Sequence, residues 1–508
     1  MLTLGFNIQL AKSKPTTWTV DDDGPADFSS IQGAINSPDV KDGDTIYVYN
    51  GIYYENLLVS KSLIIMGEDK DNTIIDGSGY EVVIEIFEDN VAINRITVRN
   101  GGWGSYFHSG SGIYCIYVES CDISDNIVSN SRYGISLWHS TNNTISSNTI
   151  SDVEKGVSFG GPSYYNMVVS NSVSNGTKTG PPSYPVGIFF GGNDPSYLYY
   201  NTVAFNSVSN FSDACIYFNY PYHNTVVGNT VSNSMYGIHF QVGGSNNTVT
   251  DNTISDCDYG IRTDYADKNF VSENVVCNSY MAIAIGYESS FNTVAENNAS
   301  DSGIGIAIMD HSSNNTVVNN IVSNNDYGMA LLWQSNDTKI YHNNFINNIQ
   351  QVLLIQSFNS MWDDGYPSGG NYWSDQYHGD CSDHFSGPSQ DVPGSDGIVD
   401  IPYSIEMDNQ DNYPLMEPYS PIPTTIDELK TEIEELGSEG EIDNQGIVKN
   451  LIAKLNVAQK LVDKGKIDKA KTILKAFIQQ VQNLTGIHIT VEAADILIES
   501  VEYIISHI

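Results

Sequence analysis

NNTVVNNIVSNNDYGMALLW, residues 314–333, is one statement of a phrase that recurs along most of the chain. Its fixed point is Gly-Ile or a close variant, found at Gly112, Gly134, Gly156, Gly187, Cys215, Gly237, Gly260, Ala282, Gly305 and Gly328. Successive gaps are 22, 22, 31, 28, 22, 23, 22, 23 and 23 residues. A fixed period of this length marks a solenoid, in which each repeat buries its apolar face only against its neighbours. Every period holds three short pieces rich in Val, Ile and Thr, such as NNTVT, NTIS and YGIRT for the coil at Gly260. Their polarity alternates, and Asn, Ser, Asp or Gly stand at the corners. Three strands and three turns make one coil of a parallel β-helix, with coils about 4.8 Å apart. A leucine-rich repeat has a similar period but requires Leu at fixed positions, and Leu is nearly absent between 101 and 330.

The same ruler finds a ladder. Asn126, Asn148, Asn229, Asn252, Asn274, Asn297 and Asn320 each stand eight residues before the Gly-Ile position. Stacked amides at a corner satisfy one another's donors and acceptors from coil to coil, so these residues are read as scaffold.

The remaining segments follow from changes of pattern. Residues 1–15 read as a signal-peptide remnant ending near Ala11, or as a disordered terminus. Residues 16–100 form an N-terminal cap and first coils. FSSIQGAIN at 28–36 puts Phe28, Ile31, Ala34 and Ile35 on one helical face that covers the open end, and strands follow at 45–50, 62–67 and 73–77. Residues 101–356 are the coils, and 357–417 a Gly-, Asp-, Trp- and Tyr-rich irregular cap. A Pro-rich linker at 418–425 leads to a helical bundle at 426–508. Three amphipathic stretches there are separated by Gly465 and Gly486, and Thr490 caps the last.

Net charge is −39, from 61 acidic and 22 basic residues. That field repels nucleic acid and anionic membranes and favours cations or neutral partners such as glycans. No apolar run is long enough to span a membrane. Eight N-x-S/T sequons suit a secreted or cell-surface glycoprotein. The six cysteines include no CxxC; Cys257 and Cys277 fall on successive coils, and buried thiols are the expected state for most of them.

The N-terminal phrase, the NNTV–NxVS–YGI coils and the closing GGNYWSD…DGIVDIPYSI…NYPLM resemble secreted right-handed parallel β-helix proteins of the NosD type, which are abundant on archaeal surfaces. The resemblance covers roughly residues 16–417. It implies a pectate-lyase-like β-helix, and related families include polysaccharide lyases, glycoside hydrolases and uronan epimerases. The NosD name implies a part in copper-site assembly, but no Met/His/Cys cluster stands in this sequence to bind copper. AKLNVAQKLVDKGKIDKAKTILKAFIQQVQNLTG in the tail resembles the FIMAH-type helical module of secreted proteins.

Alternation along the strands predicts where chemistry sits. After each Gly-Ile position the first and third residues point inward, and the second and fourth face solvent. The outward face then carries Phe189, Tyr217, His239 with Gln241, and Arg262 with Asp264, followed at the corner by Tyr265, Tyr287 and Asp310. Aromatic, basic, acidic and imidazole groups converge here, beside inserts at 176–185 and 193–200. Aromatic rings over a shallow groove suit sugar rings. The expected role is binding of polysaccharide or glycoprotein without turnover. A lyase or epimerase is the enzymatic alternative, with Arg262 on a uronate carboxylate, Asp264 orienting it and His239 or Tyr217 moving the C5 proton. A plain solvated face, or a structural subunit assembling through the helical tail, are the others. No cofactor is required; Asp391, Asp396 and Asp400 in DVPGSDGIVD are a candidate Ca²⁺ set, though their spacing is not that of an EF-hand loop.

Overall fold

The structure is a computed structural model that describes residues 14–102, 110–177, 184–191, 198–376, 382–406, 409–419 and 425–508. Most of the expected signal remnant, Cys381, residues 178–183 and 192–197 of the inserts, and most of the linker lie outside them. The chain divides into two compact units, Met1–Tyr419 and Ser420–Ile508.

The first unit is a parallel β-helix. One 14-stranded sheet takes a strand from each coil, and the other strands of each coil form a 22-stranded sheet. Stacking is in register: Tyr236 pairs Tyr259, Ile238 pairs Ile261, His239 pairs Arg262 and Gln241 pairs Asp264. The glycine beat has a steric cause. A Cβ on Gly237 would lie 2.5 Å from the Gly260 carbonyl oxygen and 2.8 Å from Ile254 Cγ2, so glycine admits the next coil at close range. The core is a continuous stack of Val, Ile and Phe, with Phe159, Phe190 and Phe218 parallel at 4.4 Å steps. Coils turn at residues in the left-handed region, where Asn and Asp are best tolerated: Asn130, Asp152, Asn175, Asn210, Asn233 and Asp256.

The amide ladder exists and is longer than the ruler implied. Asn126 Nδ2 donates to Asn148 Oδ1 at 3.1 Å, and the chain of bonds continues through Asn171, Asn206, Asn229, Asn252, Asn274, Asn297, Asn320, Asn343 and Asn371. A second ladder runs beside it from Asn143 through Asn166, Asn201, Asn224, Asn247, Asn269 and Asn292 to Asn315. Its signal is the Asn preceding the first strand of each coil, as in NNTV.

Both ends are closed. The helix Ile31–Asn36, capped by Ser30, buries Ile31, Ala34 and Ile35. Phe28 precedes this helix rather than belonging to it, and packs edge-on against Trp18. At the other end the first ladder stops on a buried carboxylate: Asn371 N and Trp373 Nε1 donate to Asp411 Oδ2 at 2.7 and 2.9 Å. Burial pushes the Asp411 carboxyl up to about 7.

The second unit has four helices, Ile426–Glu439, Gln445–Val462, Ile467–Leu484 and Val491–His507. Thr490 caps the last by accepting from Ala493 N. The first was not among the stretches singled out in the sequence; it opens with a capping box between Thr425 and Glu428, at the edge of the Pro-rich segment. No helix among the described residues is long and apolar enough to cross a membrane. The five described cysteines are free thiols, four of them buried.

Candidate functional site

Three strands stacked on successive coils, Ser207–Asn219, Thr230–Gln241 and Thr253–Asp264, bring the expected residues together. The expectation that they face open solvent is corrected. His239, Arg262 and Asp264 are 3, 6 and 5% exposed, although they stand outside the apolar core. The cause is a cover of aromatic rings: although two residues from core-facing Ile261, Tyr259 emerges on the side of Arg262, and its ring covers the guanidinium. Tyr236 lies parallel on His239 at 4.3 Å, and the Arg262 guanidinium lies 4.4 Å from the Tyr259 ring centre and 5.4 Å from that of Tyr287.

Asp264 organises the cluster. Arg262 Nε donates to both its carboxylate oxygens, at 3.0 and 2.8 Å, and His239 Nε2 donates to Oδ2 at 3.0 Å. Burial acts to lower the Arg262 pKa, but the hydrogen bond and charge of Asp264 outweigh it and hold the guanidinium above its ordinary value. His239 Nδ1 is buried and has no hydrogen-bond partner among the described residues. Tyr217 stands edge-on to His239 at 5.4 Å and donates its hydroxyl to Gln241 Oε1. Burial pushes the Tyr217 phenol up to about 12. Phe189 continues the line, parallel to Tyr217 at 5.5 Å.

Four further residues belong to this face. Tyr236 and Tyr259 are parallel at 5.3 Å and form one wall; the Tyr before Gly in the repeated YGI phrase was their signal. Lys155 Nζ lies 3.2 Å from the Phe189 ring centre, and burial pulls its ammonium down to about 8. Lys155 is thus a second cation on the face that carries Arg262. Asp213 is raised by burial and lowered again by His239 and Lys155. It reaches the face because the register shifts between Phe211 and Ala214, an irregularity that a strict period of two passes over.

Tyr265 and Tyr287 are exposed, parallel and 5.6 Å apart at the neighbouring corner. Asp310 is half-buried, and burial raises its carboxyl while Arg262 lowers it. The Ca²⁺ set is not brought together. Asp391 is exposed, Asp396 accepts from Ile398 N and Gln390 Nε2, and Asp400 accepts from Phe385 N and Ser382 Oγ. These carboxylates tie turns of the cap. Among the described residues, Asp21, Asp22 and Asp23 alone form a group of three ligating side chains within 4.8 Å. That set does not fit copper, which takes imidazole, thiolate or thioether ligands.

Residues 39–209 and 196–379 match the family described as periplasmic copper-binding protein (NosD). Residues 426–506 match the FIMAH domain. A cell surface glycoprotein of Methanothermus fervidus is 35% identical over 104 residues, which are 20% of this chain and 16% of that protein. Two solved structures superpose with a TM-score of 0.50. The catalytic unit of a thermostable GH87 alpha-1,3-glucanase from Streptomyces thermodiastaticus does so at 14% identity over 64% of each chain. The pre-mature gene product 12 of bacteriophage phi29 does so at 11% identity over 59% of this chain and 48% of its own. At these identities the likeness is one of fold.

Proposed function

The chain belongs to the NosD family, and from that premise we propose that it binds polysaccharide, or the glycan of a glycoprotein, at a cell surface and without turnover. The observation that carries this reading is the orphaned His239 Nδ1, a buried polar atom left unpaired among the described residues, beside the Arg262–Asp264 pair. A ligand hydroxyl would satisfy it. The rings around it favour a sugar chain: Phe189–Tyr217 and Tyr236–Tyr259 step along the coils at 5.5 and 5.3 Å, lining it with a row of aromatic groups that successive pyranose units would meet. Arg262 is already neutralised by Asp264, so its part is to hold the ring walls rather than to grip an anion. The surface location is supported by the glycoprotein relative, through the part of it that matches.

A second reading is a polysaccharide lyase or uronan epimerase. It rests on Lys155, whose lowered pKa beside Asp213 and His239 is of the kind found in general acid–base sites. One experiment separates them: a glycan array probed with the full chain, followed by product analysis on every hit. Retention without new ends supports binding; an unsaturated or C5-inverted uronate supports the enzyme. Unchanged retention with loss of the oligomer on deleting 426–508 points to assembly through the helical module.

A further inference from the structure

A second aromatic site lies at the corner that follows this face. Tyr199, Tyr200, Tyr222 and His223 line a cavity of about 400 Å³, within the range of roughly 300–1,000 Å³ usual for small-ligand sites. Two rows of rings meet there. Tyr165, Tyr200 and His223 are parallel at 5.2 and 5.1 Å, and Tyr164 and Tyr199 form a parallel pair at 5.9 Å. The rows stand steeply to one another, Tyr199 making 67° with Tyr200. The two walls therefore meet a ligand at different ring inclinations.

The backbone beneath these rings adds a separate observation. Tyr165, Tyr200 and His223 have φ of 60, 57 and 54°. Asn142, Asn246 and Asn314 occupy the equivalent corner of three other coils, and Lys268 and Phe291 that of two more, each just before a member of the second amide ladder, with φ of 55 to 60°. Asn suits this conformation, whereas a large aromatic side chain is strained in it. Yet Tyr165 and Tyr200 hold rings that are 53 and 48% exposed, so the strain is not repaid by burial in the core. Strained residues of this kind cluster at ligand sites.

We propose that this corner is a binding site for a neutral hexopyranose unit of a glycan, distinct from the His239–Arg262 face and independent of its assignment. Among the described residues, the lining holds phenols and an imidazole but no carboxylate and no guanidinium, which fits an uncharged, hydroxyl-rich ligand with apolar C–H faces. A net charge of −39 disfavours an anionic sugar. An ammonium cage needs ring faces turned on one point, whereas Tyr200 and His223 turn theirs on each other.

The test is saturation-transfer NMR on the full chain with neutral gluco- and manno-oligosaccharides, run on a background lacking the polar face (His239→Leu with Arg262→Met and Asp264→Leu) and on that background with Tyr200→Asn and His223→Asn added. Transfer to the sugar C–H protons should persist in the background and fall at least fivefold when the corner pair is added, with no lower melting than the background. The proposal is overturned if no neutral oligosaccharide receives saturation in the background, or if the corner pair leaves the transfer intact. It is equally overturned if tetramethylammonium displaces the sugar, or if the corner pair lowers the melting temperature by several degrees, which would make the rings structural. Transfer to the parent that is already lost in the background would place the glycan on the face instead, leaving that reading standing and this one refuted.

Discussion

Two stretches of one sheet solve the same steric problem with opposite chemistry. Two residues after the glycine position, the coils at Gly237 and Gly260 carry His239 and Arg262, whereas the next three carry Ala284, Ala307 and Ala330. All five are buried on the outer side of the solenoid. Met281, Ile304, Met309 and Leu332 close over the alanines in an apolar cluster, while tyrosines and Asp264 close over the charged pair. Backbone, register and depth are shared, so the fold does not demand polar groups at this position. Burying them costs desolvation that the apolar stretch avoids. The polar stretch is where binding is placed for that reason.

The largest effect is expected from breaking the polar stretch at one point. Asp264→Ala leaves Arg262 and His239 buried without their acceptor and should cost about 3–5 kcal/mol in urea unfolding. An unchanged midpoint would mean that water already shares the site. Replacing the whole cluster should behave differently: His239→Leu with Arg262→Met and Asp264→Leu imitates the neighbouring coils and should match or exceed the parent's stability, while sharply weakening glycan retention. Should the triple variant unfold like the single one, the two stretches are not equivalent.

A pH titration sharpens the contrast, since none of the alanine-stretch residues named above titrates. Lys155 has a folded pKa of about 8 against an ordinary 10.5. Below the folded value both states hold the proton; between the two values the unfolded chain still holds it and the native state has released it. Stability should therefore rise with pH across that window, by on the order of 2–3 kcal/mol. Lys155→Met should flatten the rise, read as Tm against pH. The smallest effect is at the rim: Tyr287→Ala should weaken glycan binding by ~1 kcal/mol with no change in Tm, because its ring is exposed.

What could be read from the sequence was whatever the coil repeats. Glycine marks close approach of the next coil, and Asn marks a buried corner amide, so fold, register and one ladder follow from spacing alone. Alternation reports the side a residue takes but not its depth. His239 lies on the predicted side and is nevertheless covered, because Tyr236 folds over it. Asp213 escaped notice because it sits in a break of register, and Lys155 because no rule of spacing ties a lysine on one coil to Phe189 on the next. Asp396 and Asp400 look like metal ligands in a linear reading, but backbone amides of the cap take up their oxygens first.

The most direct test is retention of the full chain and of the Leu–Met–Leu triple variant on a polysaccharide identified by the array, with released ends counted in parallel. Binding by the polar stretch predicts that the parent is retained and releases no new ends, while the triple variant keeps at least the parent's Tm and is retained far more weakly. Equal retention of both proteins, or new ends released by the parent, would contradict it.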